Sequence, residues 1–371
     1  MNDLTQTVRV VIEITKLDVI KILLPALVSL VVGLLSTPML LKIMTEFDWR
    51  KKKSVSKTID GRPATLTATI DNEENKVLYR AGGLVVLTGA MFAVVLFRVL
   101  PIFFPDSSTL AQLNILSRNQ TLIPILMFLG GAVIGFVDDM MIVDRLQWFK
   151  KFVGGGLSLK IRIFGVLILA ALCSWWLYAK LDISSVIVPF AGTWQMGWWY
   201  LPFALLVILG AYGTSNIDGV DGLSGGLNTT AFLAMGTIAV VNTQYDIAAL
   251  CFAMVGGLLA FLWFNIQPAR FMNSETGYVG QILCLATISL FIGVPLLLPI
   301  ILLPAITAPV TVAVQLLSKK FRGKKVFLAA PVHIHLQLIG WPKYKVTMRY
   351  WIFAQVTALG ALAIYLTGGY L

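Results

Sequence analysis

Ten apolar stretches, each close to the length that crosses a bilayer, constrain this chain more than any other feature. A helical span needs about 20 mostly apolar residues. Candidates lie near 20–44, 82–104, 121–138, 161–179, 200–214, 227–241, 247–264, 278–293, 295–317 and 347–369. The chain is 58% hydrophobic and 13% charged, with a mean hydropathy of +0.84, which excludes an ordinary soluble domain. Pro295, Pro299, Pro304 and Pro309 interrupt the eighth and ninth stretches, as proline can where neighbouring groups satisfy the freed backbone. The reading is an all-α integral membrane protein of about ten transmembrane helices. It forms a single polytopic domain over 1–371, without an internal repeat, and 45–81 is its longest polar loop.

Lys and Arg placement orients the spans. With both termini outside, the cytoplasmic loops are 45–81, 139–160, 215–226, 265–277 and 318–346. Widened to take in Arg162 and Arg349, they hold 22 of the 29 basic residues, and the outer side between spans takes only Arg98, Arg118 and Lys180. The net charge of +11 is therefore read as topology anchoring and contact with anionic headgroups, not nucleic-acid binding. Arg50-Lys51-Lys52-Lys53 and the Lys319–Lys325 run carry that role. Cys173, Cys251 and Cys284 fall inside spans without metal-ligand spacing and read as small core residues. The N-terminus lacks the pattern of a cleaved signal peptide, so the first span is expected to be retained.

On this topology the acidic clusters converge on the cytoplasmic face, where an ionisable group beside a span is a functional-site hypothesis. Asp138-Asp139 closes the third span, with Asp144 just beyond. Adjacent carboxylates repel unless a cation or proton intervenes. Asn216-Ile-Asp218-Gly-Val-Asp221-Gly places two Asp three apart, sharing a face if helical, among glycines that admit close backbone approach. The segment Asn265…Arg270…Glu275 offers an amide, a guanidinium and a carboxylate in one loop. His333 and His335 are the only histidines. At spacing two they share a side in an extended segment but sit about 200° apart on a helix, so joint action requires a loop or strand. Gly154-Gly155-Gly156 opens the next helix and could contact phosphate through free N–H groups, although a plain turn reads as well. Converging carboxylates suggest a divalent cation and a phosphate-bearing substrate.

The motifs FVDD, NIDGVDG, FN…PAR…ETG and PVHIHLQLIGWP…KV…R.W, in this order, resemble the polyprenyl-phosphate N-acetylhexosamine-1-phosphate transferases from about residue 76 onward. The run Gly340-Trp341-Pro342…Lys345-Val346…Arg349-Tyr-Trp351 is similar to the phospho-N-acetylmuramoyl-pentapeptide-transferase branch. The resemblance implies transfer of phospho-MurNAc-pentapeptide from UDP to undecaprenyl phosphate, releasing UMP and forming lipid I in peptidoglycan synthesis, at the bacterial cytoplasmic membrane. The implied partners are the UDP-sugar-peptide, undecaprenyl phosphate and membrane lipid, and a homodimer is compatible.

The same resemblance implies the site. Its catalytic residues are Asp138 (the base), Asp139, Asp218, Asp221, His333 and His335. Its substrate-binding residues are Lys76, Arg80, Lys160, Asn216, Asn265 and Arg270. Mg2+ is the implied cofactor, on Glu275 and Asp218. The chain departs from the pattern at Ile142, where Lys is usual, at Ile334, where a middle His is usual, and at Glu275, where Asp is usual. Arg80-Ala-Gly82-Gly83 and His-Ile-His look closer to relatives that transfer GlcNAc-1-phosphate, which makes that activity the alternative. The rival of another class is an ion-coupled transporter or lipid flippase, whose ionisable groups would lie near the bilayer midplane.

Overall fold

The computed structural model describes residues 14–50, 78–117, 119–143 and 156–368. Helix α1 (Lys16–Glu46) begins at a reciprocal cap between Thr15 and Asp18, which satisfies amides with no intrahelical partner. After it come α2 (Leu84–Phe103), the short α3 (Ser108–Gln112), α4 (Leu122–Ile142) and α5 (Leu159–Leu181). A hairpin of β1 (Ser185–Val188) and β2 (Gly192–Gln195) leads to a 3-10 turn (Gly197–Trp199) and α6 (Tyr200–Tyr212). A second 3-10 turn (Gly213–Ile217) precedes α7 (Leu223–Val241), α8 (Tyr245–Asn265) and α9 (Ser274–Phe291). The chain finishes with α10 (Leu298–Ile301), α11 (Leu303–Arg322), α12 (Val332–Leu338) and α13 (Lys343–Thr367).

Among the described residues, eight helices are long and apolar enough to cross a bilayer, so the chain is a multi-pass membrane protein. Every predicted span finds a helix, but two differ from expectation. The 278–293 span begins four residues early in a polar turn (Ser274, Glu275, Thr276) and carries a buried Gln281, which dilutes its apolar character. The 295–317 span is split at Leu302 into α10 and α11, each with Pro at its start where a missing N–H costs nothing. Lys319, Lys320 and Arg322 end α11, facing the partial negative charge of its C-terminus. The all-α expectation holds, with one small addition in a loop, the β1–β2 hairpin. Its β-branched run Val186-Ile187-Val188 pairs with Trp194, Thr193 and Gly192.

Helices α8 and α9 are buried over most of their circumference, as core helices are. Around them, α1 and α2 pack on α8, α4 runs along α9, and α7 is held between α8 and α13. The α4–α9 contact is backbone-close. A Cβ at Gly131 would lie 2.8 Å from the Gly280 Cα, and one at Gly135 would overlap the Glu275 carbonyl oxygen. Gly135→Ala is therefore expected to destabilise the protein by about 1–3 kcal/mol, the usual cost of overpacking. Thermal unfolding in detergent checks this, and an unchanged midpoint would mean that the two helices do not meet there.

Candidate active site

The glycine-lined approach of α4 to α9 sets the last turn of α4 against the first turn of α9. Asp138 and Asp139 are 2% and 0% exposed there. Asp139 is saturated: Oδ1 accepts from Arg80 Nε at 2.8 Å, and Oδ2 accepts from the Thr276 amide at 2.9 Å and its hydroxyl at 2.5 Å. Asp138 is less engaged. Its Oδ1 accepts the Leu157 N–H at 2.7 Å, and its Oδ2 lies 3.5 Å from Arg162 Nη1. The two adjacent carboxylates therefore have different tasks available, one anchored and one with an oxygen to spare.

The N-terminus of α9 supplies donors to both acidic motifs. Ser274 N–H reaches Asp218 Oδ2 at 2.6 Å, and Thr276 N–H reaches Asp139. These early helix amides have no intrahelical acceptor, and carboxylates suit the positive end of the helix. Ser224 Oγ donates to the other Asp218 oxygen at 2.6 Å. Burial raises the Asp218 carboxyl above its ordinary value, against the lowering effect of those two bonds. Between these contacts Glu275 turns to Arg162, with Oε1 at 2.8 Å from Nη1, and its Oε2 is buried without a partner. Arg162 thus joins Asp138 to Glu275 from the first turns of α5.

Asp221 lies apart. The 218–221 segment is a loop between the second 3-10 turn and α7, not a helical turn, so the two Asp do not share a face as expected. Asp221 accepts from the Ala269 amide at 3.3 Å and lies 3.8 Å from Lys343 Nζ. Asn265, also buried, bridges the Gly222 N–H and the Phe271 carbonyl, bonding both ends of its amide to backbone. The histidine segment corrects a second expectation. It is helical in α12, so His333 and His335 diverge. His333 is buried against the Asp218–Asp221 loop, where a Cβ at Gly219 would lie 2.9 Å from its Nε2. Burial lowers its pKa to about 4, so the ring is uncharged at neutral pH. His335 instead accepts the Leu328 N–H at 3.3 Å.

The remaining expected residues are less central. Lys160 and Asn216 are exposed, and exposed Arg270 sits 5.8 Å from the Phe264 ring centre. Lys76, Asp144, Gly154 and Gly155 lie outside the described residues. Gly156 is described and has a φ of +122°, a conformation that suits glycine, with the Ile142 side chain beside it. Sequence reasoning missed Arg162, Ser224, Ser274 and Thr276. Arg162 was within reach: it is two residues from Lys160 on one helix, so only one of the pair can face Glu275.

Residues 121–293, which hold both Asp motifs and Glu275, match glycosyl transferase family 4. The phospho-N-acetylmuramoyl-pentapeptide-transferase of Levilactobacillus brevis is 33% identical over 70% of this chain and 78% of its own length. That of Acetivibrio thermocellus is 30% identical over 80% of this chain and 87% of its own length. The protein of the same name from Halalkalibacterium halodurans is 32% identical over 69% and 76% respectively.

Proposed function

This chain belongs to glycosyl transferase family 4, the polyprenyl-phosphate hexosamine-1-phosphate transferases, and we propose that it transfers phospho-MurNAc-pentapeptide from UDP to undecaprenyl phosphate, giving lipid I and UMP for peptidoglycan synthesis. The carrying observation is the meeting of Asp138, Asp139, Asp218 and Glu275 with Arg80 and Arg162 at one end of the bundle. The names of the relatives support the choice of sugar.

The reaction brings two anions together, so positioning and charge neutralisation supply most of the catalysis. Arg80 and Arg162 lower the repulsion around the incoming phosphates. Asp139, held by three hydrogen bonds, fixes Arg80 and the α9 N-terminus. Asp138, with Oδ2 free of any short hydrogen bond, takes the remaining proton of the lipid phosphate, which attacks directly. Four carboxyl groups stand against two guanidinium groups, and the Glu275 Oε2 oxygen is buried and unpartnered. Among the described residues no three His, Cys, Asp or Glu side chains group as a metal site, so magnesium would rest on one or two carboxylates and the substrate phosphates. Glu275 and Asp218 would hold it, and it would supply charge stabilisation on the diphosphate.

The second reading, transfer of GlcNAc-1-phosphate, is favoured by Arg80 ahead of Gly82-Gly83 and by Ile334 between the histidines. Purified protein given undecaprenyl phosphate, magnesium and each UDP-sugar in turn distinguishes the two. Lipid product from UDP-MurNAc-pentapeptide is expected, and product from UDP-GlcNAc alone would establish the second reading.

The orientation carries its own prediction. Single cysteines at 72, 221 and 333 should be silent to an impermeant reagent outside sealed cells, while those at 114 and 193 react. Labelling at 221 would overturn both the orientation and the cytoplasmic site.

A further inference from the structure

Beneath the site, three amides are buried in an otherwise apolar bundle. Asn228 on α7, Asn273 at the start of α9 and Gln281 within α9 are 1%, 0% and 0% exposed. Gln281 Oε1 accepts from Asn228 Nδ2 at 2.7 Å and from Asn273 Nδ2 at 2.9 Å, and Gln281 Nε2 donates to Asn273 Oδ1 at 3.1 Å. The Asn273 carbonyl also accepts the Gly83 N–H at 3.2 Å, which ties in the start of α2. Asn228 Oδ1 is left buried without a partner.

A helical bundle has no need of such a cluster for stability. Apolar side chains of similar size fill the same space without leaving a lone carbonyl unbonded. What a buried polar network adds is a single arrangement of the elements it joins. The arrangement here is that of the segment immediately after Asn273. Ser274 is held at a φ of +58°, which is strained for a residue with a side chain. In that conformation its N–H points at Asp218, and two residues later the Thr276 N–H points at Asp139.

We infer that Asn228, Asn273 and Gln281 form a positioning network that holds the Ser274 and Thr276 amides onto Asp218 and Asp139, and with them the Glu275 carboxylate between. The three residues touch no substrate in this account; they act through the strained first turn of α9. The inference rests on the proposed transferase reading for its effect on turnover, but its effect on the backbone is independent of that reading.

The test combines activity with hydrogen exchange. Gln281→Leu breaks all three amide contacts, and Asn228→Ala removes one while leaving the Asn273–Gln281 pair. For Gln281→Leu, kcat should fall about 10- to 100-fold, the scale of a misplacement near 1 Å, while KM for the UDP-sugar stays within about threefold. Exchange across 272–280 should accelerate roughly tenfold or more, with α8 unchanged. Asn228→Ala should show the same pattern, smaller. Gln281→Glu, which when protonated can both accept and donate, should recover most of the loss. In the triple variant Asn228→Leu/Asn273→Leu/Gln281→Leu, apolar packing should restore the melting temperature but not kcat. Recovery of kcat along with melting temperature would reduce the network to a structural role and overturn the inference. Unchanged exchange across 272–280 in Gln281→Leu or Asn228→Ala would overturn it too. A wild-type protein that transfers neither sugar would instead remove the transferase reading, with the exchange result still deciding the network.

Discussion

Asp138→Asn is expected to lower turnover about 10²–10⁴-fold, the usual contribution of a general acid–base group. The amide keeps an oxygen for the Leu157 N–H, so the chain between α4 and α5 stays in place. What disappears is the basic oxygen near Arg162 and the charge that Arg162 shares with Glu275. UDP-sugar affinity should change little, because the lost group is assigned to the lipid acceptor. Steady-state kinetics with a separate nucleotide-binding assay makes the distinction. Near-normal turnover at neutral pH would remove Asp138 as the base. The corresponding change at Asp139 is a poorer test, since an amide keeps only one oxygen for the three hydrogen bonds that hold Arg80 and the start of α9 to the end of α4.

Glu275→Gln should sharply reduce turnover and raise the magnesium concentration needed for half-maximal rate. The substitution preserves shape, leaves Oε1 able to accept from Arg162, and removes only the negative charge. Glu275→Asp should retain more activity, since it keeps the charge and shortens the reach. Magnesium prefers close octahedral oxygen ligation at about 2.0–2.1 Å, so one methylene matters only if the loop cannot follow it. Metal titrations of both variants decide the matter. An unchanged magnesium dependence in Glu275→Gln would take Glu275 out of the metal site.

The helices were legible because apolar length is a strong signal, and it set the start of α9 four residues late, where polarity enters a buried helix. α9 carries Ser274, Glu275, Thr276 and Gln281, yet lies at the centre of the bundle, where Asp218, Arg162, Asp139, Asn273 and Asn228 on or beside other helices and at its own start bond to these polar groups. The hairpin went unread because its four-residue strands lie within a loop between two strong spans. In the site, the acidic motifs were visible as charges beside apolar runs. What the pattern could not resolve was direction. Lys160 and Arg162, like His333 and His335, are pairs two residues apart, and the backbone conformation alone decides which member faces inward. Arg162 and His333 do so. Backbone donors left no trace in the sequence at all: the Ser274, Thr276 and Leu157 amides are site groups because of where the chain turns, not because of their side chains.

We propose that the carboxylate–arginine cluster carries a phosphoryl transfer to a membrane lipid. This is tested most directly with UDP-MurNAc-pentapeptide radiolabelled in its β-phosphate, supplied with magnesium to wild-type and Asp138→Asn protein in liposomes containing undecaprenyl phosphate. The label should enter the lipid extract with one UMP released per lipid formed, and should do so far more slowly in the variant. Label that stays in the aqueous phase, or crosses the membrane still attached to UMP, would contradict the account and point to transport.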